Sequence, residues 1–122
     1  MKLETVRKAA LSLPGTTEEP HHQFGSFRVN GKIFVTIPPD NEHLHVFVNE
    51  QDRELALAAF PAFIEKLLWG GKVVGVRVSL ANANVSVVKS LLRKAHELKL
   101  AKSHGLARSS RATASPRPKS AA

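Results

Sequence analysis

Phe27-Arg28-Val29-Asn30-Gly31-Lys32-Ile33-Phe34-Val35 is the stretch whose reading decides the fold. An Asn-Gly pair between alternating apolar runs is a strong hairpin signal, because both residues accept the positive φ that a tight turn requires. A two-residue loop would pair Val29 with Lys32. Phe27 and Val29 would then share one face, and Ile33, Val35 and Ile37 the other. A three-residue loop, Val29-Asn30-Gly31 with a bulge at Gly31, instead pairs Arg28 with Lys32 and Phe27 with Ile33. It gathers Phe27, Ile33, Val35 and Ile37 on one core face and is the register expected here.

In that register Arg28 and Lys32 stand directly opposed, a like-charge pair destabilising by a few tenths of a kcal/mol that an anion would relieve. By the same alternation Phe34 and Thr36, then His43, His45 and Phe47, and later Arg77, point away from Leu44, Val46 and Val78. One sheet face would combine Arg28, Lys32 and Arg77 with Phe34, Phe47 and two histidines, a mixture suited to phosphate contacts and base stacking. If a helix or a second subunit covers that face, the same phenylalanines are packing residues.

Outward from the hairpin, the apolar period switches between helical and extended. Leu3, Val6, Ala10 and Leu13 predict a helix that Pro14-Gly15 stops, followed by a loop holding Glu18 and Glu19. Strands are expected over Phe24–Val29, Lys32–Ile37 and Leu44–Val48. Asn49 offers an N-cap with acids in the first turn, and the helix it opens runs to Pro61. Phe63–Leu68 is either a further helical turn or a short strand. Gly70-Gly71 breaks it, and Val74, Val76, Val78 and Leu80 alternate as a strand. Asn84 caps a last helix with Val87, Val88, Leu91, Leu92, Ala95 and Leu98 inward. The fold class is α+β, in the order α-β-β-β-α-β(β)-α, with an antiparallel meander sheet packed against helices. No internal repeat is visible.

Composition changes near Ala101. Residues 101–122 hold five basic residues in a Ser, Pro and Ala background and one large apolar residue, Leu106. Such a stretch cannot offset about 1–2 kcal/mol of backbone entropy per ordered residue and is expected to be a disordered basic tail. A folded domain of residues 1–100 remains.

The chain has 18 Lys and Arg against 10 Asp and Glu, a net +8, in 122 residues. Residues 1–65 sum to −3 and residues 66–122 to +11, so a polyanion would meet the C-terminal elements first. The five tail charges excepted, the domain has thirteen basic residues against ten acidic, a net +3. Net charge alone therefore says little about what the domain binds.

Several classes fall away. With no cysteine there is no disulfide framework, thiolate nucleophile or Cys-based zinc site. No apolar run spans a bilayer, and Met1-Lys2-Leu3-Glu4 lacks the apolar stretch of a secretory signal. A soluble cytoplasmic protein without a membrane partner is expected.

His43 and His45 project the same way from one strand, and His21-His22 precede the hairpin. No carboxylate lies at a recognised ligand spacing, so surface histidines are preferred to a metal site, and no cofactor is expected. Gly70-Gly71-Lys72 lacks the spacing of a phosphate-binding loop, and no nucleophile motif occurs. Glu18-Glu19 beside His21-His22 reads as solvated charge, so no enzyme is expected. Lys89 and Arg93, four apart on the last helix, share a face that can lie along a phosphate backbone. Lys94 and Lys99 flank the same stripe.

Four pieces, Leu11-Ser12-Leu13-Pro14-Gly15-Thr16-Thr17-Glu18, Ser26–Phe34, His45-Val46-Phe47-Val48, and Trp69-Gly70-Gly71-Lys72 leading to Gly75-Val76-Arg77-Val78, in that order and spacing resemble the MmcQ/YjbR family. The resemblance spans about residues 3–102. It implies a small α+β "double wing" fold and, since members are commonly described as DNA-binding, a nucleic-acid partner. The wings would be the hairpin with Arg28, Gly31 and Lys32 and the strand Lys72–Leu80. Many members have an aromatic residue near the start of that strand, where Val73-Val74 stand here and Trp69 lies upstream. The resemblance transfers no catalytic residue.

Together these readings give a non-enzymatic DNA-binding protein of low sequence specificity, with DNA ahead of RNA. Arg28, Lys32, Lys72 and Arg77 are the expected phosphate contacts, with Lys89, Arg93 and the tail as extensions. The alternative is a protein-interaction or small-ligand module, or a homodimer, using Phe34, Phe47 and Trp69 as anchors.

Overall fold

In a computed structural model the backbone is described for residues 1–108 and the side chains for residues 1–101. The chain forms α1 (Leu3–Leu11), β1 (Thr16–His21), β2 (Phe24–Val29), β3 (Lys32–Ile37), β4 (His43–Val46), α2 (Glu50–Ala59), β5 (Ile64–Trp69), β6 (Lys72–Ser79), a short 3-10 turn (Leu80–Asn82) and α3 (Val85–Arg108). The six strands make one antiparallel sheet in the order β1-β2-β3-β4-β6-β5. The fold is α+β, as expected.

One face of the sheet is apolar and packs on the helices. Phe27, Val29, Val35, Ile37, Leu44, Val46, Ile64, Val76 and Val78 meet Val6 and Ala10 of α1, Ala56 of α2, and Val88, Leu91, Leu92 and Ala95 of α3 in a single core. The alternate residues point to the helix-free face, the usual division of labour in an antiparallel sheet with one layer of helices. The helix ends follow local chemistry. Asn49 Oδ1 accepts from Asp52 N at 2.8 Å at the start of α2, and Asn84 Oδ1 accepts from Val87 N at 3.2 Å at the start of α3.

The hairpin takes the two-residue loop and not the three-residue loop expected from the sequence. Asn30 and Gly31 have φ of 51° and 77°, and Val29 pairs with Lys32. The apolar faces that this loop splits are rejoined one step later. Arg28 faces Ile33 and Phe27 faces Val35, so Phe34 is an extra residue in β3. The bulge switches the alternation and returns Val35 and Ile37 to the core side. Arg28 and Lys32 are consequently not opposed.

One further stretch differs from expectation. Thr16–His21 is an edge strand and not a loop. Its Glu18, Glu19 and Pro20 suit an edge, where charge and a missing N–H discourage further pairing. The ambiguous Phe63–Leu68 segment resolves as β5. The last helix also continues past Ala101 to Arg108, so the composition change is not a break in the backbone. The remainder of the expected tail, residues 109–122, lies outside the described residues.

Candidate functional site

The hairpins β2-β3 and β5-β6 are built alike. Each turns on two residues with positive φ, Asn30-Gly31 at 51° and 77° and Gly70-Gly71 at 56° and 81°. Each outgoing strand begins with a lysine paired to the last residue of the incoming one, Lys32 with Val29 and Lys72 with Trp69. Each then has one extra residue at its third position, Phe34 in β3 and Val74 in β6, seen as the register shift that follows the Arg28–Ile33 and Leu68–Val73 pairs. Both β3 and β6 run antiparallel to β4, so the two run the same way. Their tips therefore project from the same end of the sheet, with the end of β4 between them.

A cleft of about 280 Å³ opens at that end, lined by His21, Ile33, Thr36, Phe47, Trp69, Val74 and Lys99. Phe47 and Trp69 meet edge to face with ring centres 5.2 Å apart, and Lys99 Nζ sits 5.8 Å from the centre of the Phe47 ring. Trp69 is 47% exposed, and Phe47 is half-buried. Behind the cleft a polar row crosses the helix-free face through the cross-strand partners Ser26, Thr36, His45, Arg77 and Glu65. Thr36 is 1% and His45 5% exposed. Among the described residues neither the Thr36 hydroxyl nor either His45 ring nitrogen has a hydrogen-bond partner, an uncommon state for buried polar atoms. Burial first, then the charges of Arg77 and His43, pushes the His45 imidazole below its ordinary value and so favours its neutral form.

The nine residues singled out from the sequence separate into four groups. Arg28 and Arg77 lie on the helix-free face by register, with Trp69 and Lys72 at its wing end, and Phe47, one residue past β4, stands beside Trp69 with Lys99 of α3 over its ring. Lys32 pairs with buried Val29 and belongs to the opposite side of its wing. Phe34 is fully buried and stands edge-on to His96 of α3 at 5.5 Å. It is therefore a core residue and not a stacking platform, because the bulge turns it toward the helices. Lys89 and Arg93 line a separate groove of about 380 Å³ between α1 and α3, with Thr5, Lys8, Ala9, Ser12 and Leu13.

Charge pairing further divides the cations. Arg77 sits between Glu65 Oε2 at 3.5 Å and Asp40 Oδ2 at 3.8 Å. Asp40 is itself held below the usual carboxylate range, chiefly by the backbone N–H of Glu42 and then by His43. Among the described residues Arg28 donates only to Ser26 Oγ at 3.3 Å and the Pro20 carbonyl at 3.4 Å. Among the described residues no carboxylate lies within salt-bridge distance of Arg28, Lys32, Lys72, Lys8, Lys89 or Arg93. Lys8 and the cleft residues Ile33 and Val74 were not foreseen as site residues, since only the packing of α1 on α3 and the two bulges bring them into place.

Among the described residues no group of three or more His, Asp or Glu converges as a metal site would need. No helix among them is long and apolar enough to cross a membrane.

The YjbR family model matches residues 11–98. The chain also has the fold of Deinococcus radiodurans protein DR2400, a crystal structure with the family-model domain DUF419. The two are 20% identical with a TM-score of 0.71, over 84% of this chain and 80% of that one. No curated protein matches the chain.

Proposed function

The chain belongs to the YjbR family, and from that premise and its paired hairpins we propose that it is a non-enzymatic, cytoplasmic DNA-binding protein of low sequence specificity. The observation that carries this reading is the pair of lysine-tipped wings at one end of the sheet, Lys72 on its helix-free side and Lys32 on the other, with no carboxylate among the described residues within salt-bridge distance of either. Lys32, Lys72 and Arg28 are the phosphate contacts, Lys32 and Lys72 each placed by a two-residue turn. Lys8, Lys89 and Arg93 form a second basic track on the helix layer. Phosphate contacts fix position but read no sequence, which accords with low specificity.

Anisotropy titrations of labelled duplex DNA at several salt concentrations test the reading. Affinity should fall linearly on a log–log plot, with a slope of about −0.9 per phosphate neutralised. Replacing Lys32 and Lys72 together by Ala should reduce the slope by about two. Binding that ignores salt, or that is untouched by the double substitution, would reject the wings as the contact surface.

A further inference from the structure

The cleft between the wings differs in kind from the lysine tips. Three rings, Phe47, Trp69 and His21, and two aliphatic side chains, Ile33 and Val74, supply its walls. Thr36 supplies a hydroxyl that is buried and without a partner among the described residues, and Lys99 brings a cation to the same space. About 280 Å³ is just under the usual range for small-molecule pockets, roughly 300–1,000 Å³. It suits one planar group and not an extended ligand.

We propose that this cleft receives a single unpaired nucleobase, stacked on the exposed Trp69 ring and edged by Phe47, which stands at 64° to it, with its polar edge toward Thr36 and its phosphate toward Lys99. The proposal rests on the nucleic-acid reading above and narrows it to single-stranded or frayed nucleic acid. The chemistry fits on three counts. Aromatic faces accept any base by stacking, so the site adds affinity without reading sequence. Buried polar atoms in native proteins almost always find partners, and a base edge offers the donor and acceptor that Thr36 lacks. A base inside a duplex presents neither a free face nor a free pairing edge, so the cleft discriminates against paired DNA. A purely apolar partner would fill the aromatic walls equally well but would leave the Thr36 hydroxyl unsatisfied.

Trp69 is the sole tryptophan and the chain has no tyrosine, so its emission reports this cleft alone. The full chain is titrated with a thymidine oligonucleotide, a blunt duplex of matched length, and thymidine monophosphate. Trp69 emission and the anisotropy of labelled DNA are followed in parallel. The single strand should quench Trp69 and bind about tenfold more tightly than the duplex, the lower end of the effect of one stacked base. Phe47→Leu should remove most of that preference and leave duplex affinity unchanged. Thr36→Val should weaken single-strand binding severalfold while its melting temperature stays level or rises, since the hydroxyl it removes has no partner in the free protein. Oligonucleotides that bind without any change in Trp69 emission would overturn the cleft and leave DNA binding standing. Quenching by the monophosphate with no oligonucleotide held would retain the cleft as a nucleotide site and overturn DNA binding. If no probe binds, both fall.

Discussion

His96 Nε2 lies 2.7 Å from the Pro14 carbonyl oxygen, and the same imidazole ring stands edge-on to Phe34. Since a carbonyl only accepts, this nitrogen bears the proton. One side chain thus ties the middle of α3 to the turn after α1 and covers the bulge of the first wing. His96 is 5% exposed, so its removal leaves both a cavity and a carbonyl without its donor. His96→Phe keeps the volume and should cost about 1 kcal/mol for the lost hydrogen bond. His96→Ala adds the cavity and should cost about 2–4 kcal/mol. Urea denaturation of the two variants separates these contributions.

Gly75 is required by a close approach of backbone. A Cβ there would meet the Val46 carbonyl oxygen and lie 3.1 Å from Phe47 Cα, and neither group is the movable end of a side chain. At Gly25 the same addition meets only Ile37 side-chain atoms, at 3.6 Å and beyond. Gly75→Ala should therefore separate β4 from β6 and destabilise the protein by more than about 3 kcal/mol, whereas Gly25→Ala should stay within about 1 kcal/mol. Thermal melts of the two variants give the contrast directly.

Helix periodicity, the caps Asn49 and Asn84 and most of the core stripe were legible in the sequence because each is set by local spacing. The hairpin register was not. A two-residue loop and a three-residue loop both explain part of the apolar pattern, and the choice made by the protein depends on Phe34 leaving the alternation to meet His96, more than sixty residues away in sequence. The two-residue loop moved Lys32 and the bulge moved Phe34 off the expected face, while Arg28, Arg77, His43 and His45 remained on it. The likeness of the two wings was hidden for a related reason. Asn-Gly-Lys and Gly-Gly-Lys are similar only at their turns, and the bulges that complete the match fall on Phe and Val.

The buried imidazole of His45 makes stability depend on pH. Its folded-state value lies below the ordinary value of about 6.5, which the unfolded chain retains. Above about 6.5 both states are neutral and there is no penalty. Below it the unfolded state takes up a proton that the folded state resists, so stability falls until the folded-state value is passed. The groups around His45 are Arg77 and His43, which oppose its charge, Asp40, which favours it, and the Phe24 ring at 6.0 Å. Unfolding at pH 7.5 and at pH 5.5 should show this loss, and His45→Phe should reduce the difference between the two.

Arg77 and the wing lysines should behave in opposite ways. Arg77 is already placed between Glu65 and Asp40, so a phosphate would have to displace two carboxylates to reach it, with their negative charge left beside the incoming anion. Arg77→Ala should therefore leave duplex affinity within about twofold at any salt concentration. Its effect on stability should also be small, about 0–1 kcal/mol, because both pairs are solvent-exposed on at least one side. Lys32 and Lys72 have no such competitors, and each should take about one unit from the salt slope when removed. Anisotropy titrations of Arg77→Ala, Lys32→Ala and Lys72→Ala against one duplex decide between the sheet face and the wing tips. A large loss with Arg77→Ala and none with either lysine would assign DNA binding to the polar row behind the cleft and not to the hairpins.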